Sequence, residues 1–199
     1  MKISRFSAAT ARVIAPLACV VVLANSACGK DDEASETAAA VTASALVGTW
    51  KTDCVKDEEN QFVIDTHVFT ATDYTLTNKT YSKAGCADAD ILFSSSAGGT
   101  YKAAGSNFDL NVNLLTVTPQ SDAMTTGFKA ACSTLTWTKG TTTDVKTCDV
   151  FKDKVAMQYS IYKIDGTKLT VGKESDAKDG TTEAKRHSEY NTTAVATKQ

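Results

Sequence analysis

Leu46-Val47-Gly48-Thr49-Trp50-Lys51 is the first apolar, strand-forming run after a charged, alanine-rich leader, and it decides the fold. The sequence after it, to about residue 172, is dense in Thr, Val, Tyr and Phe, which suit a half-buried pleated surface better than a helix. The run therefore marks the start of a β-rich body, with Trp50 as the large side chain that returning strands must cover.

Downstream, apolar residues recur every second position. Phe62, Ile64 and Val68 share one parity, with Val63 and Phe69 on the other. Tyr74, Leu76, Asn78 and Thr80 alternate with residues expected to face water. Phe108, Leu110, Val112 and Leu114 share a face, after which the pattern shifts to Leu115 and Val117, predicting a bulge near Leu114–Leu115. Val155, Met157, Tyr159 and Ile161 alternate next. Asp165-Gly166 then reads as a hairpin turn into Lys168-Leu169-Thr170-Val171. Glycines at 85, 98–99, 105 and 140 mark further breaks, giving roughly eight to ten short strands, as in an antiparallel sandwich or barrel. No stretch after residue 46 shows a capped helical period. The best candidate, Asp176–Tyr190, is too polar to need burial.

Upstream, residues 1–27 carry Lys2, Arg5 and Arg12, an apolar core from Val13 to Leu23, and a small-residue exit at Ala24-Asn25-Ser26-Ala27. That order is a secretory signal peptide, and the apolar run is too short to span a membrane. The exit ends at Cys28-Gly29-Lys30-Asp31-Asp32, which resembles a bacterial lipoprotein signal, lipidated on the cysteine sulfur and cleaved just before it. Gly29, rather than Asp, implies outer-membrane sorting in that family, with the domain facing periplasm or surface. The alternative is ordinary cleavage after Ala27 and a soluble secreted or periplasmic protein. Residues 28–45 then form a polar tether. Without residues 1–27 the chain has 18 basic residues against 23 acidic ones, which argues against nucleic acid as a partner.

Cys54, Cys86, Cys132 and Cys148 remain, an even count that reads as two disulfides in an exported protein. Three pairings are possible. The short run between Cys132 and Cys148 favours that pair, leaving Cys54–Cys86 to join the first strand to a later loop. Their spacing lacks the close cysteine pair of a zinc site, so no metal is expected.

Leu46 to Cys54, with the ending YKIDGTKLTVGKESD and the tail carrying Lys185-Arg186-His187 and Tyr190, resembles the lipocalin and fatty-acid-binding superfamily, in particular bacterial lipocalin-like proteins. The resemblance implies one up-and-down antiparallel barrel of about eight strands over residues 46–175, followed by a polar tail at 176–199. It implies that Gly48 and Trp50 close the barrel's bottom, with a basic side chain stacked on the indole, for which Arg186 is the candidate. The 120–150 segment, with Trp137, has no counterpart in a minimal barrel.

The function expected is non-enzymatic binding of a small hydrophobic ligand. Phe62, Ile64, Tyr74, Leu110, Val112, Met157 and Tyr159 are the candidate lining. No nucleophile–base constellation is visible and no cofactor is expected. His67 reads as a wall residue, and His187 as solvated. The rival reading is a filled barrel that binds a protein, such as an envelope protease inhibitor, through the 120–150 loop or the tether. No particular protein partner is indicated.

Overall fold

The computed structural model describes residues 45–57 and 59–199. The proposed leader, Cys28 and all of the tether but Ala45 lie outside the described residues.

The strands are β1 (Gly48–Thr52), β2 (Val55–Lys56), β3 (Phe62–Phe69), β4 (Asp73–Tyr81), β5 (Ile91–Ala104) and β6 (Asn107–Pro119). Helix α1 (Asp122–Ala131) follows, then β7 (Thr143–Asp144), β8 (Met157–Asp165), β9 (Lys168–Lys173), β10 (Glu189–Tyr190) and β11 (Ala196–Lys198). Antiparallel neighbours run β1, β3, β4, β5, β6, β8, β9, β11 and back to β1. Eight strands thus close an up-and-down barrel, so its ladder has no free edge.

Closure comes from the last strand. Trp50 pairs with Lys198 and Thr52 with Ala196, while Ala196 also lies opposite Leu169 on β9. The barrel therefore extends to residue 198 and does not stop at 175. A three-residue strand of modest composition carries little signal, yet here it satisfies the backbone groups of two neighbours.

The tail before β11 is structured as well. The β8–β9 ladder runs only from Tyr162–Val171 to Asp165–Lys168. Beyond it the strands separate. Tyr159 donates its N–H to the Gly180 carbonyl at 2.8 Å, His187 donates to the Tyr159 carbonyl at 3.3 Å, and β10 pairs with β9. Residues 180–190 thereby supply the hydrogen bonds that the parted strands lack.

The bulge falls one residue earlier than the apolar pattern suggests. Gly98 lies opposite Leu114 and Gly99 opposite Val112, leaving Asn113 as the extra residue. A Cβ on Gly99 would come within 1.9 Å of the Asn111 carbonyl oxygen, so only glycine permits this approach.

Two apolar cores result. The first lies in the barrel and joins Leu46, Trp50, Phe69, Tyr74, Tyr101, Phe108, Tyr162 and Leu169. The second joins Phe93, Leu115 and Val117, on the long β5–β6 hairpin, to Phe128, Trp137, Val145 and Phe151 of the 120–155 excursion. Helix α1 corrects the expectation of no capped helix. The Ser121 hydroxyl caps it by accepting from the Met124 N–H at 3.2 Å, and its Phe128 is buried. Trp137 belongs to this core, stacked on Phe128 at 5.0 Å between ring centroids. The disulfides are Cys54–Cys86 and Cys132–Cys148, the second stapling the excursion.

Candidate binding site in the barrel

Strand alternation settles which side chains enter the barrel. Phe69, His67 and Asp65 point inward from β3, because their ladder partners Tyr74, Leu76 and Asn78 share the face that carries the core. From β6, β8 and β9 the inward residues include Phe108, Leu110 and Val112, then Ser160 and Tyr162, then Leu169 and Val171.

One end of the interior is filled. Phe69, Tyr74, Tyr101 and Phe108 meet with ring centroids 5.0–5.8 Å apart, mostly edge-on or tilted. Trp50, 1% exposed, donates its indole N–H to the Leu46 carbonyl at 2.7 Å. Lys198 Nζ lies 5.0 Å from the centre of the indole ring.

Arg186 does not cover Trp50. It pairs with the Asp109 carboxylate, donates to the Ser160 carbonyl at 2.9 Å, and stacks 5.3 Å from the Tyr159 ring. The basic residue on Trp50 comes from the closing strand, whose register places Lys198 directly opposite it. Arg186 instead anchors the tail to β6 and β8.

The inward wall of β1, β3 and β4 is polar. His67 Nδ1 lies 3.2 Å from the Tyr74 hydroxyl. Asn78 Nδ2 donates to Asp65 Oδ1 at 2.8 Å, Thr80 Oγ1 donates to Asn78 Oδ1 at 3.0 Å, and the Asp65 N–H donates to Thr52 Oγ1 at 2.9 Å. Burial holds the His67 pKa below its ordinary value, with the Asp65 charge opposing. The Tyr74 hydroxyl is pushed up by burial and then by Asp65, so it stays protonated and neutral.

Above the aromatic floor, exposure changes. Leu76, Leu110, Asp65, Asn78 and Ala97 face inward yet keep partial access to solvent, whereas the floor aromatics are at most 8% exposed. Beyond the aromatic floor, the inward face thus carries partly exposed side chains, apolar at Leu76 and Leu110 and polar at Asp65 and Asn78.

The candidate lining divides accordingly. Tyr74, Leu110 and Val112 point inward. Phe62 and Ile64 do not: they occupy the outer parity of β3, and Ile64 borders a shallow outer cleft of about 310 Å³ with Lys51, Asp53 and Gln199. Met157 and Tyr159 also face out, the first 39% exposed and the second beneath Arg186. Each miss is a one-residue slip in reading the pleat, which inverts the whole strand. The slip followed apolarity, because the inward face of β3 carries Asp65 and His67.

No protein-family model matches the chain, and no curated protein does.

His187 is half-buried, and its ring packs against β8 and β9. Its Nδ1 lies 2.9 Å from Ser160 Oγ, and a Cβ on Gly172 would come within 2.6 Å of the His187 Cβ. Burial lowers its pKa. Ser160 is itself 7% exposed, and this hydroxyl–imidazole pair pins the tail to β8. Sequence reading missed it because the partners are 27 residues apart.

Proposed function

We propose that the protein is a non-enzymatic, lipocalin-like binding module that takes a small, largely apolar ligand into its barrel. The observation that carries this is the change in exposure along the interior: Leu76 and Leu110 point inward and remain accessible above a buried aromatic floor. The closed eight-stranded meander, opened by Gly48 and Trp50 at its base, supports the likeness to lipocalins. The two disulfides suit an oxidising compartment. Among the described residues no helix is long and apolar enough to cross a membrane. Lipid attached to Cys28, at the lipoprotein-like signal, would hold the domain at the cell envelope; Cys28→Ser should move the protein from the membrane fraction to the soluble one.

Native mass spectrometry of the protein purified from its own envelope tests the binding reading. A mass excess that disappears on denaturation supports it. A native mass equal to the denatured mass, with no binding of apolar dyes, refutes it. Leu110→Phe narrows the same space and should weaken dye binding severalfold without unfolding the barrel.

The 120–155 excursion favours a second reading, a protein-docking module. It has its own core and disulfide, and it presents Val150 at 52% exposure. Under that reading Val150→Asp weakens partner capture and leaves dye binding unchanged.

A further inference from the structure

The polar wall bears on what the ligand carries, an inference that rests on the binding reading above. Asp65 projects inward from β3 with its Oδ1 held by Asn78 at 2.8 Å, and Thr80 orients that amide from 3.0 Å. No ion pair or further side-chain hydrogen bond reaches this carboxylate among the described residues. The lysines on the neighbouring strands cannot neutralise it. Lys51 lies opposite Thr66 and Lys79 opposite Ile64, both on the outer parity, and Lys198 is occupied at the floor over Trp50. His67 lies two residues along the same face and is buried, a setting that disfavours the imidazolium.

A carboxylate only accepts hydrogen bonds. Asp65 keeps partial exposure to water, and an apolar ligand settling beside it would displace that water. Stripping water from an ionised group is costly unless the incoming molecule supplies an opposite charge and a donor. A carboxylate-bearing ligand would add repulsion to that cost.

We infer that the barrel selects an amphipathic amine, with its apolar body over Leu76 and the aromatic floor and its ammonium group on Asp65. The amine reaches its cationic form in water and binds without any covalent step. Asn78 and Thr80 hold the carboxylate oriented toward the interior, so the site is formed before the ligand arrives.

Titration calorimetry of the purified full chain with octylamine, octanol and octanoate, at neutral pH and low salt, tests this. Octylamine should bind at least tenfold more tightly than octanol, with octanoate weakest. Asp65→Asn should abolish the amine's advantage and leave octanol binding within about twofold. Octanol or octanoate matching octylamine in the wild-type protein overturns the inference, and so does an amine preference that survives Asp65→Asn. The wild-type ranking decides even if that variant fails to fold. Binding of octanol without an amine preference leaves the barrel reading standing and removes only the charge selection; binding of none of the three removes both.

Discussion

Trp50 shows how one side chain can be legible while its partners are not. Its place at the start of the body and its size mark it as the residue to be covered. It is 1% exposed, and its one polar atom is satisfied by Leu46. Truncating a buried aromatic of this kind costs about 3–5 kcal/mol, so Trp50→Ala should shift the urea midpoint sharply downward. The lysine over it belongs to a strand more than a hundred residues away, which no local pattern reports. His67 makes the complementary case. Its folded pKa lies below the ordinary value of 6.5, chiefly through burial, and His187 is shifted in the same direction. The unfolded chain therefore takes up protons that the native state resists, and stability falls as pH drops below about 6.5. His67→Gln should flatten the stability–pH slope between pH 7 and 5, measured by urea unfolding at each pH. An unchanged slope would show that His67 titrates normally in the folded protein.

Among the elements, strands whose inward face is apolar were readable and those whose inward face is polar were not. On β4 and the first half of β6 the apolar parity is the inward one, so Tyr74, Leu110 and Val112 were placed correctly. On β3 the inward face carries Asp65 and His67, and on β8 it carries Ser160, so the apolar parity there pointed to the outer surface. Helix α1 escaped notice because its short buried face depends on a core that the hairpin and the excursion build together. Its cap is local, and Ser121→Ala should cost about 1 kcal/mol in thermal or urea unfolding. The Cys132–Cys148 bridge spans a separation of 16 residues. Replacing both cysteines by alanine should cost about 3 kcal/mol in the chain-entropy model. The same variant should open residues 133–147 to limited proteolysis, and resistance equal to the wild type would show that packing alone holds the excursion.

At the scale of the molecule, closure is the decisive property. Deleting residues 196–199 leaves β1 and β9 without their shared neighbour and removes Lys198 from Trp50. The truncated chain should lose cooperative unfolding and aggregate through its exposed edges, as read by thermal scans and light scattering. Intact cooperativity would mean that β11 is dispensable. The amino-acid sequence by itself determined the all-β class, the start of the body at Gly48 and Trp50, and an even set of four cysteines suited to two disulfides, whose pairing the fold then fixed. These follow from period-two alternation, strand propensity and short loops, all local along the chain. Tertiary structure alone decided which parity of β3 and β8 faces inward, that Lys198 rather than Arg186 covers Trp50, and that the polar tail completes the barrel. The reason is physical: a pleat has two faces, and a short strand gains its stability from neighbours on both sides. Only the closed ladder supplies those neighbours and decides which face is the inside.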